Sequence, residues 1–316
     1  MKKCIGRIGI AVMLSALAFL PLFGNTEDEA SSLRKTFNVS AGGSLTITSD
    51  IGSIDVRSAA GNTVDVDVQI GGEEESRSRL KSFLRDFEVD FQQTGNDVIV
   101  TADYHRDGWI FDDWFGRHVR VRFLVTVPLE YNVVLKTSGG SISVSDLHGS
   151  VRANTSGGSL KFGAIQGPVI GKTSGGSIRL EASEGNAELN TSGGSIHLGE
   201  VKGDVRAHTS GGSIEIRETS GTVDASTSGG FINAALTEQP KGNCRLTTSG
   251  GSITVTLAER VGIYVDASTS GGHVSTDFPI TVQGEIDKHH LRAEINGGGP
   301  DLYLRTSGGS IHLKRM

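Results

Sequence analysis

The chain has 316 residues, a formal net charge of −6 and 44 glycines, about twice the usual share of roughly 7%. Those glycines follow no three-residue period and come with only 6 prolines, which excludes collagen and points to regularly spaced turns. No lysine and arginine cluster lies beyond the first residues, so the chain carries no electrostatic footprint for a nucleic acid.

Lys2, Lys3 and Arg7 precede an apolar run from Ile8 to Phe23, shorter than the ~20 residues a membrane span needs. This is the form of a secretory signal over residues 1–24, with cleavage expected near Gly24. Ala16-Leu17-Ala18 also satisfies the small-x-small rule, and an uncleaved anchor is the competing reading. Cys4 stands before the apolar run, the reverse of a lipoprotein signal. Without the signal Cys244 is the only cysteine, so no intramolecular disulfide can form. The expected location is the periplasm, cell envelope or extracellular space, with no stable membrane span after cleavage.

Residues 25–35 read as a linker and residues 36–136 as a β-rich cap region. Alternation predicts strands over Asn38 to Thr48, Val64 to Ile70, Val98 to Tyr104 and Val119 to Val127. Thr48-Ser49-Asp50-Ile51-Gly52-Ser53-Ile54 reads as a divergent coil. Leu80, Phe83, Leu84 and Phe87 recur at helical spacing after Glu73-Glu74-Glu75, which suits the positive end of one short helix. Both tryptophans lie in the segment 109–115, where Trp109, Phe111, Trp114 and Phe115 are candidate partner contacts. The competing reading packs them against the helix as cap core.

From residue 137 to 316 the chain is a repeat. Thr-Ser-Gly-Gly begins at Thr137, Thr155, Thr173, Thr191, Thr209 and Thr227, each 18 residues after the last, then at Thr248, Thr269 and Thr306. Apolar residues recur five, seven, fourteen and sixteen positions after each Thr, as in Ile196, Leu198, Val205 and Ala207. Spacing of two is the strand period, so each coil holds two short strands. A further glycine twelve positions on (Gly149, Gly167, Gly185, Gly203, Gly221) is expected to turn the second corner with a positive φ. One coil cannot bury its apolar stripe alone; coils stacked at about 4.8 Å bury a continuous core. The fold class is therefore all-β, a right-handed single-stranded β-helix, or β-solenoid, of 18-residue coils. The degenerate Asn296-Gly297-Gly298 is expected to carry the register on to Thr306, and Lys314-Arg315-Met316 to guard an open final strand.

Little of this pattern is chemistry. The Thr-Ser-Gly-Gly ladder reads as corner structure whose hydroxyls satisfy one another and nearby backbone; an ice-binding face would need uniform outward threonines. The outward position six after each Thr is irregular instead: Ser143, Lys161, Arg179, His197, Glu215, Asn233, Thr254. The thirteenth position, Ser150, Pro168, Asn186, Asp204, Thr222, builds no carboxylate cluster of the kind a β-helix lyase needs, and the calcium-binding nonapeptide pattern is absent. His197 and His208 fall on opposite strands, and His289 and His290 read as a surface loop, so no metal or cofactor is expected. Cys244 takes an inward position and is expected to be buried and inert.

Val127-Pro128, the run Asn132 to Ile142 and the later Thr-Ser-Gly-Gly-Ser-Ile copies resemble the bacterial putative adhesin family, a β-strand-repeat domain of unknown function in exported and envelope proteins. The resemblance covers residues 36–316 and implies a right-handed β-helix, surface or periplasmic placement, and an adhesive or scaffolding role without catalytic residues. The function expected is a non-catalytic exported interaction or scaffold protein with a protein or glycan partner. A structural or stress-responsive envelope protein and a carbohydrate-active β-helix enzyme are the alternatives.

Overall fold

The computed structural model of the protein describes residues 31–72, 77–104, 119–280 and 288–316. Two 13-stranded sheets, parallel through the repeat, enclose one hydrophobic core. The two-residue period produces this arrangement directly. Fifth- and seventh-position residues build one sheet, where Ile178–Ser183, Ile196–Val201 and Ile214–Thr219 set Ile178 on Ile196 on Ile214 and Leu180 on Leu198 on Ile216. Fourteenth and sixteenth positions build the other, with Ala187 on Val205 and Leu189 on Ala207 in Ala187–Asn190 and Val205–His208. All ten side chains are no more than 3% exposed, and each larger one contributes about 1.5–3 kcal/mol of burial.

A further inward row lies at the tenth position: Leu147, Ile165, Ser183, Val201 and Thr219, each 1% exposed. It breaks the two-residue period because it sits where the strand bends into the corner. Where this row is polar it is satisfied locally, as in the Ser183 hydroxyl beside the carbonyls of Gly167 (2.9 Å) and Gly185 (3.0 Å). Gly171 interrupts the sixteenth-position row for a steric reason. A Cβ there would stand 3.0 Å from the Phe162 ring, so the two positions share one volume across the core.

The corners correct the expected role of glycine. Gly149 has the expected positive φ (158°), but among Gly167, Gly185, Gly203 and Gly221 none does. These four are glycine because successive coils approach backbone to backbone: a Cβ on Gly167 would lie 2.4 Å from the Gly149 carbonyl oxygen, and one on Gly194 2.2 Å from that of Gly176. The threonines rivet the same corner. Thr191 Oγ1 donates to the Gly176 carbonyl of the preceding coil at 2.7 Å and accepts from Gly194 N of its own coil at 3.4 Å. Thr173 and Thr209 repeat the bond to Gly158 and Gly194, also at 2.7 Å. The hydroxyls thus satisfy backbone rather than one another, at about 1 kcal/mol net each.

Both ends depart from chain order. The coil Ser44–Ser49 and Ser53–Ala59 pairs in parallel with Asn132–Thr137 and Ile142–Val144 on one side. On its other side it pairs with Asp97–Tyr104 and Val119–Pro128, which form the outermost coil. The divergent coil is therefore real, but Ser49, not Thr48, aligns with Thr137 and is buried. At the other end the last segment of the chain, Asp301–Thr306 and Ile311–Arg315, inserts between two earlier coils. It pairs with Cys244–Thr248 and Ile253–Leu257 below and with Ile263–Thr269 and Val274–Thr276 above. The stacking order of the threonines is thus Thr248, Thr306, Thr269. Asn296, Gly297 and Gly298, with φ of 52°, 82° and 75°, form a turn before the inserted coil rather than a corner of the stack. The Lys314-Arg315-Met316 ending likewise closes no outermost strand, since Ile311–Leu313 is paired on both sides and Lys314 and Arg315 on one.

Antiparallel strands cover the outermost coils. Thr63–Gly72 lies on Val119–Pro128 and Ser31–Asn38 on Thr63–Gly72, so a strand begins inside the stretch read as a linker. Phe87–Thr94 lies on Asp97–Tyr104, and His290–Ile295 on Ile263–Thr269. The helix Arg77–Asp86 buries Leu80 and Phe83, and the Phe83 ring stacks on Phe87 (5.0 Å between centroids) and Tyr104 (5.1 Å). Phe87 opens the following strand instead of closing the helix, and Glu73, Glu74 and Glu75 lie outside the described residues. No helix among the described residues is long and apolar enough to cross a membrane.

Two outcomes follow from this packing. Removing residues 299–316 takes Leu302, Leu304, Ile311 and Leu313 from between two coils, at about 1.5–3 kcal/mol each. Thermal unfolding followed by circular dichroism is expected to lose its single steep transition, whereas an unchanged midpoint would show the inserted coil to be dispensable. Cys244 is 2% exposed, and its burial pushes the thiol pKa up against the weak bond from Val223 N at 3.4 Å. Thiol labelling of the native protein is expected to run at least 100-fold slower than in denaturant; equal rates would contradict the inward register.

Candidate functional site

Trp109, Phe111, Trp114 and Phe115 lie outside the described residues. Their segment connects Asp97–Tyr104 in one sheet to Val119–Pro128 in the other, the two strands of the outermost coil. His197 and His208 stand on different sheets; His197 Nδ1 meets Glu215 at 3.1 Å and His208 Nδ1 meets Ser226 at 2.7 Å, each one coil away. His290 opens a strand rather than a loop, while His289 Nδ1 faces the Gly272 carbonyl at 2.8 Å. Among the described residues no group of three His, Cys, Asp or Glu side chains is placed to hold a metal. The thirteenth-position row caps strands: Asp204 Oδ1 accepts from Thr222 N (2.9 Å) and Thr222 Oγ1 (2.7 Å), and these bonds hold its carboxyl below the usual range.

Outward positions form straight rows one coil apart. Several rungs pair opposite charges across adjacent coils, such as Lys202 with Glu184 at 2.9 Å and Lys172 with Glu188 at 3.0 Å. Such exposed pairs are worth at most about 1 kcal/mol. Near the C-terminal end the pattern changes, because the inserted coil brings in residues remote in sequence. Tyr303 stands beside Arg245 on one neighbouring strand and Asp266 on the other. Two guanidinium groups lie over its ring, Arg245 at 4.4 Å and Arg305 at 3.8 Å from the centroid. Arg305 in turn donates to Asp266 through Nη2 to Oδ1 at 2.8 Å and through Nη1 to the Asp266 carbonyl at 2.7 Å.

Asp266 is the hub of this cluster, with His290 Nε2 at 3.3 Å and Arg292 Nε at 3.4 Å. Partial burial works against its charge, and Arg305, His290 and Arg292 outweigh that cost, so its carboxyl titrates below the usual range. Beside it a hydroxyl-lined concavity of about 280 Å³ is bounded by Thr247, Ser249, Ser268, Ser270, Ser307 and Arg305. Tyr264, 49% exposed, is the other tyrosine of this face. Nothing in the repeat period flags these residues, since each sits at an ordinary outward position and only the insertion makes them neighbours.

The cluster joins the inserted coil, the outermost coil and the covering strand His290–Ile295, so it bears on stability as well as on surface chemistry. A carboxyl whose folded pKa is lowered adds stability above its unfolded value of about 4, and that stability is lost as pH falls through the folded value. Asp266→Asn is expected to lower the urea midpoint at pH 7 by an amount equal to about 1–3 kcal/mol and to flatten the acid limb of the stability profile. An unchanged profile would show that the cluster does not hold the end together.

No curated protein matches the chain. Among solved structures the chain is similar to a putative adhesin from Parabacteroides merdae ATCC 43184, at 10% identity over 89% of this chain and 95% of that one, with a TM-score of 0.37. A putative adhesin from Bacteroides fragilis NCTC 9343 matches at 10% identity over 90% and 97%, with a TM-score of 0.35. A putative cell adhesion protein from Clostridium sporogenes ATCC 15579 matches at 10% identity over 90% and 100%, with a TM-score of 0.23. The family model described as Toastrack DUF4097 matches residues 43–314, and the chain belongs to that family.

Proposed function

We propose that the protein is a non-catalytic, exported, adhesin-like interaction or scaffold module that presents a repetitive β-solenoid surface to a protein or glycan partner. The observation that carries this reading is a division of labour within each coil. Inward and corner positions repeat the same few residue types, while the outward row runs Ser143, Lys161, Arg179, His197, Glu215, Asn233 without a rule. Such a scaffold leaves its surface free to be set by a partner, and neighbouring rungs about 4.8 Å apart offer many weak contacts at once. The signal-like residues 1–24 support export, and its destination is the envelope or the exterior.

Trp109, Phe111, Trp114 and Phe115 belong to this proposal as an aromatic contact. The test is retention of the purified protein on whole cells and on a glycan array, with the Trp109→Ala, Trp114→Ala double variant beside it. Selective retention that falls at least tenfold in the variant at an unchanged melting temperature is the expected result. A lower melting temperature with retention intact would assign the tryptophans to the core, and failure of the native protein to attach to any surface would favour a rod that only spans distance.

A further inference from the structure

Arg245 differs from its charged neighbours in one respect. Among the described residues its guanidinium has neither an ion-paired nor a hydrogen-bonded partner, only the face of Tyr303 at 4.4 Å. Asp224, the carboxylate on the adjacent rung, is paired with Arg206 at 3.8 Å. Arg305, by contrast, is committed to Asp266. A planar guanidinium laid against an aromatic face keeps its N–H edge free and loses little entropy on binding, which suits bidentate recognition of a carboxylate.

Thr247 lies two residues beyond Arg245 on the same outward face, about 7 Å away at the strand rise, and it lines the hydroxyl-walled concavity with Ser268, Ser270 and Ser307. The concavity exists because this row carries Thr247 and Ser268 where lower coils carry Lys172 and His208, and because Arg305 reaches away to Asp266. Its volume of about 280 Å³ sits at the lower edge of small-molecule sites, roughly 300–1,000 Å³, the scale of one sugar ring. Hydroxyl walls both donate and accept, so they match a ligand that is itself rich in hydroxyls. An acidic peptide offers the carboxylate without those groups. The net charge of −6 gives no long-range attraction for an acidic glycan, so the carboxylate is held by its local contact with the Arg245 guanidinium.

We propose that Arg245, Tyr303 and the concavity floored by Thr247 and Ser268 form a subsite for a uronic-acid residue of an acidic glycan. Arg245 takes the carboxylate and the threonine and serine hydroxyls take the ring hydroxyls. This rests on the interaction-module reading above and names a ligand class for it.

The test titrates the full protein at low salt with oligogalacturonate, oligomannuronate, the methyl ester of the first, and oligoglutamate of equal charge. At least one uronate is expected to bind, with the ester and oligoglutamate at least tenfold weaker and with amide shifts centred on Thr247 and Ser268. Arg245→Gln and, independently, Ser268→Gln are each expected to weaken binding at least tenfold at an unchanged melting temperature. If one variant is destabilised the other decides, and if both are, the map of amide shifts on the native protein decides. Equal binding of the ester, equal binding of oligoglutamate, shifts elsewhere, or no binding of either uronate overturns the proposal. Should the native protein and both variants still attach equally to cells or arrays, only this subsite falls; should the native protein attach to nothing, the interaction-module reading falls as well.

Discussion

Successive coils meet backbone against backbone at two glycine corners, and the rest of the structure depends on that approach. Where a Cβ on Gly194 would lie 2.2 Å from the Gly176 carbonyl oxygen, no other residue fits without separating the coils. Separation would break the parallel ladders on both sides and open the core between them. The buried threonine hydroxyl fixes the same joint, because its 2.7 Å bond reaches the carbonyl of the preceding coil's second glycine. Strand spacing, inward register and corner geometry are thus three consequences of one contact repeated up the stack.

The ends obey a different constraint. A simple stack would leave its first and last coils free to fray, each held on one side only. Here the first coil of the chain and the last are each clamped between two others, and the outermost coils bear antiparallel strands. The coil that lies on Cys244–Thr248 is the last in sequence, so stacking at this end does not follow the order of the chain. Placing Leu302, Leu304, Ile311 and Leu313 there requires long-range contacts, the slow kind to form.

Insertion also creates surface chemistry that the repeat lacks. Along the middle coils, outward neighbours are 18 residues apart and derive from the same position of the unit. Near the C-terminal end, neighbours come from different segments: Tyr303 meets Arg245 and Asp266, and His290 reaches Asp266 from the covering strand. Among the described residues a planar cationic and aromatic group beside a hydroxyl-lined hollow arises only there. The architecture spends its regularity on the core and its irregularity on the face.

The period, the two strands per coil, the inward rows at the fifth, seventh, fourteenth and sixteenth positions and the buried Cys244 were legible in the sequence, because these follow from local alternation and an 18-residue translation; the tenth-position row was not. The short helix and the divergent first coil were legible too, with Ser49 in place of threonine at that corner. The sequence misled on the reason for four of the five corner glycines, because a close approach between coils leaves no local mark that separates it from a positive φ. Only the tertiary structure decided the order of the end coils and the cluster around Asp266. Sequence spacing reports translation between equivalent positions, whereas which strand lies beside which at an open end is settled by edge satisfaction and core filling across residues that share no period.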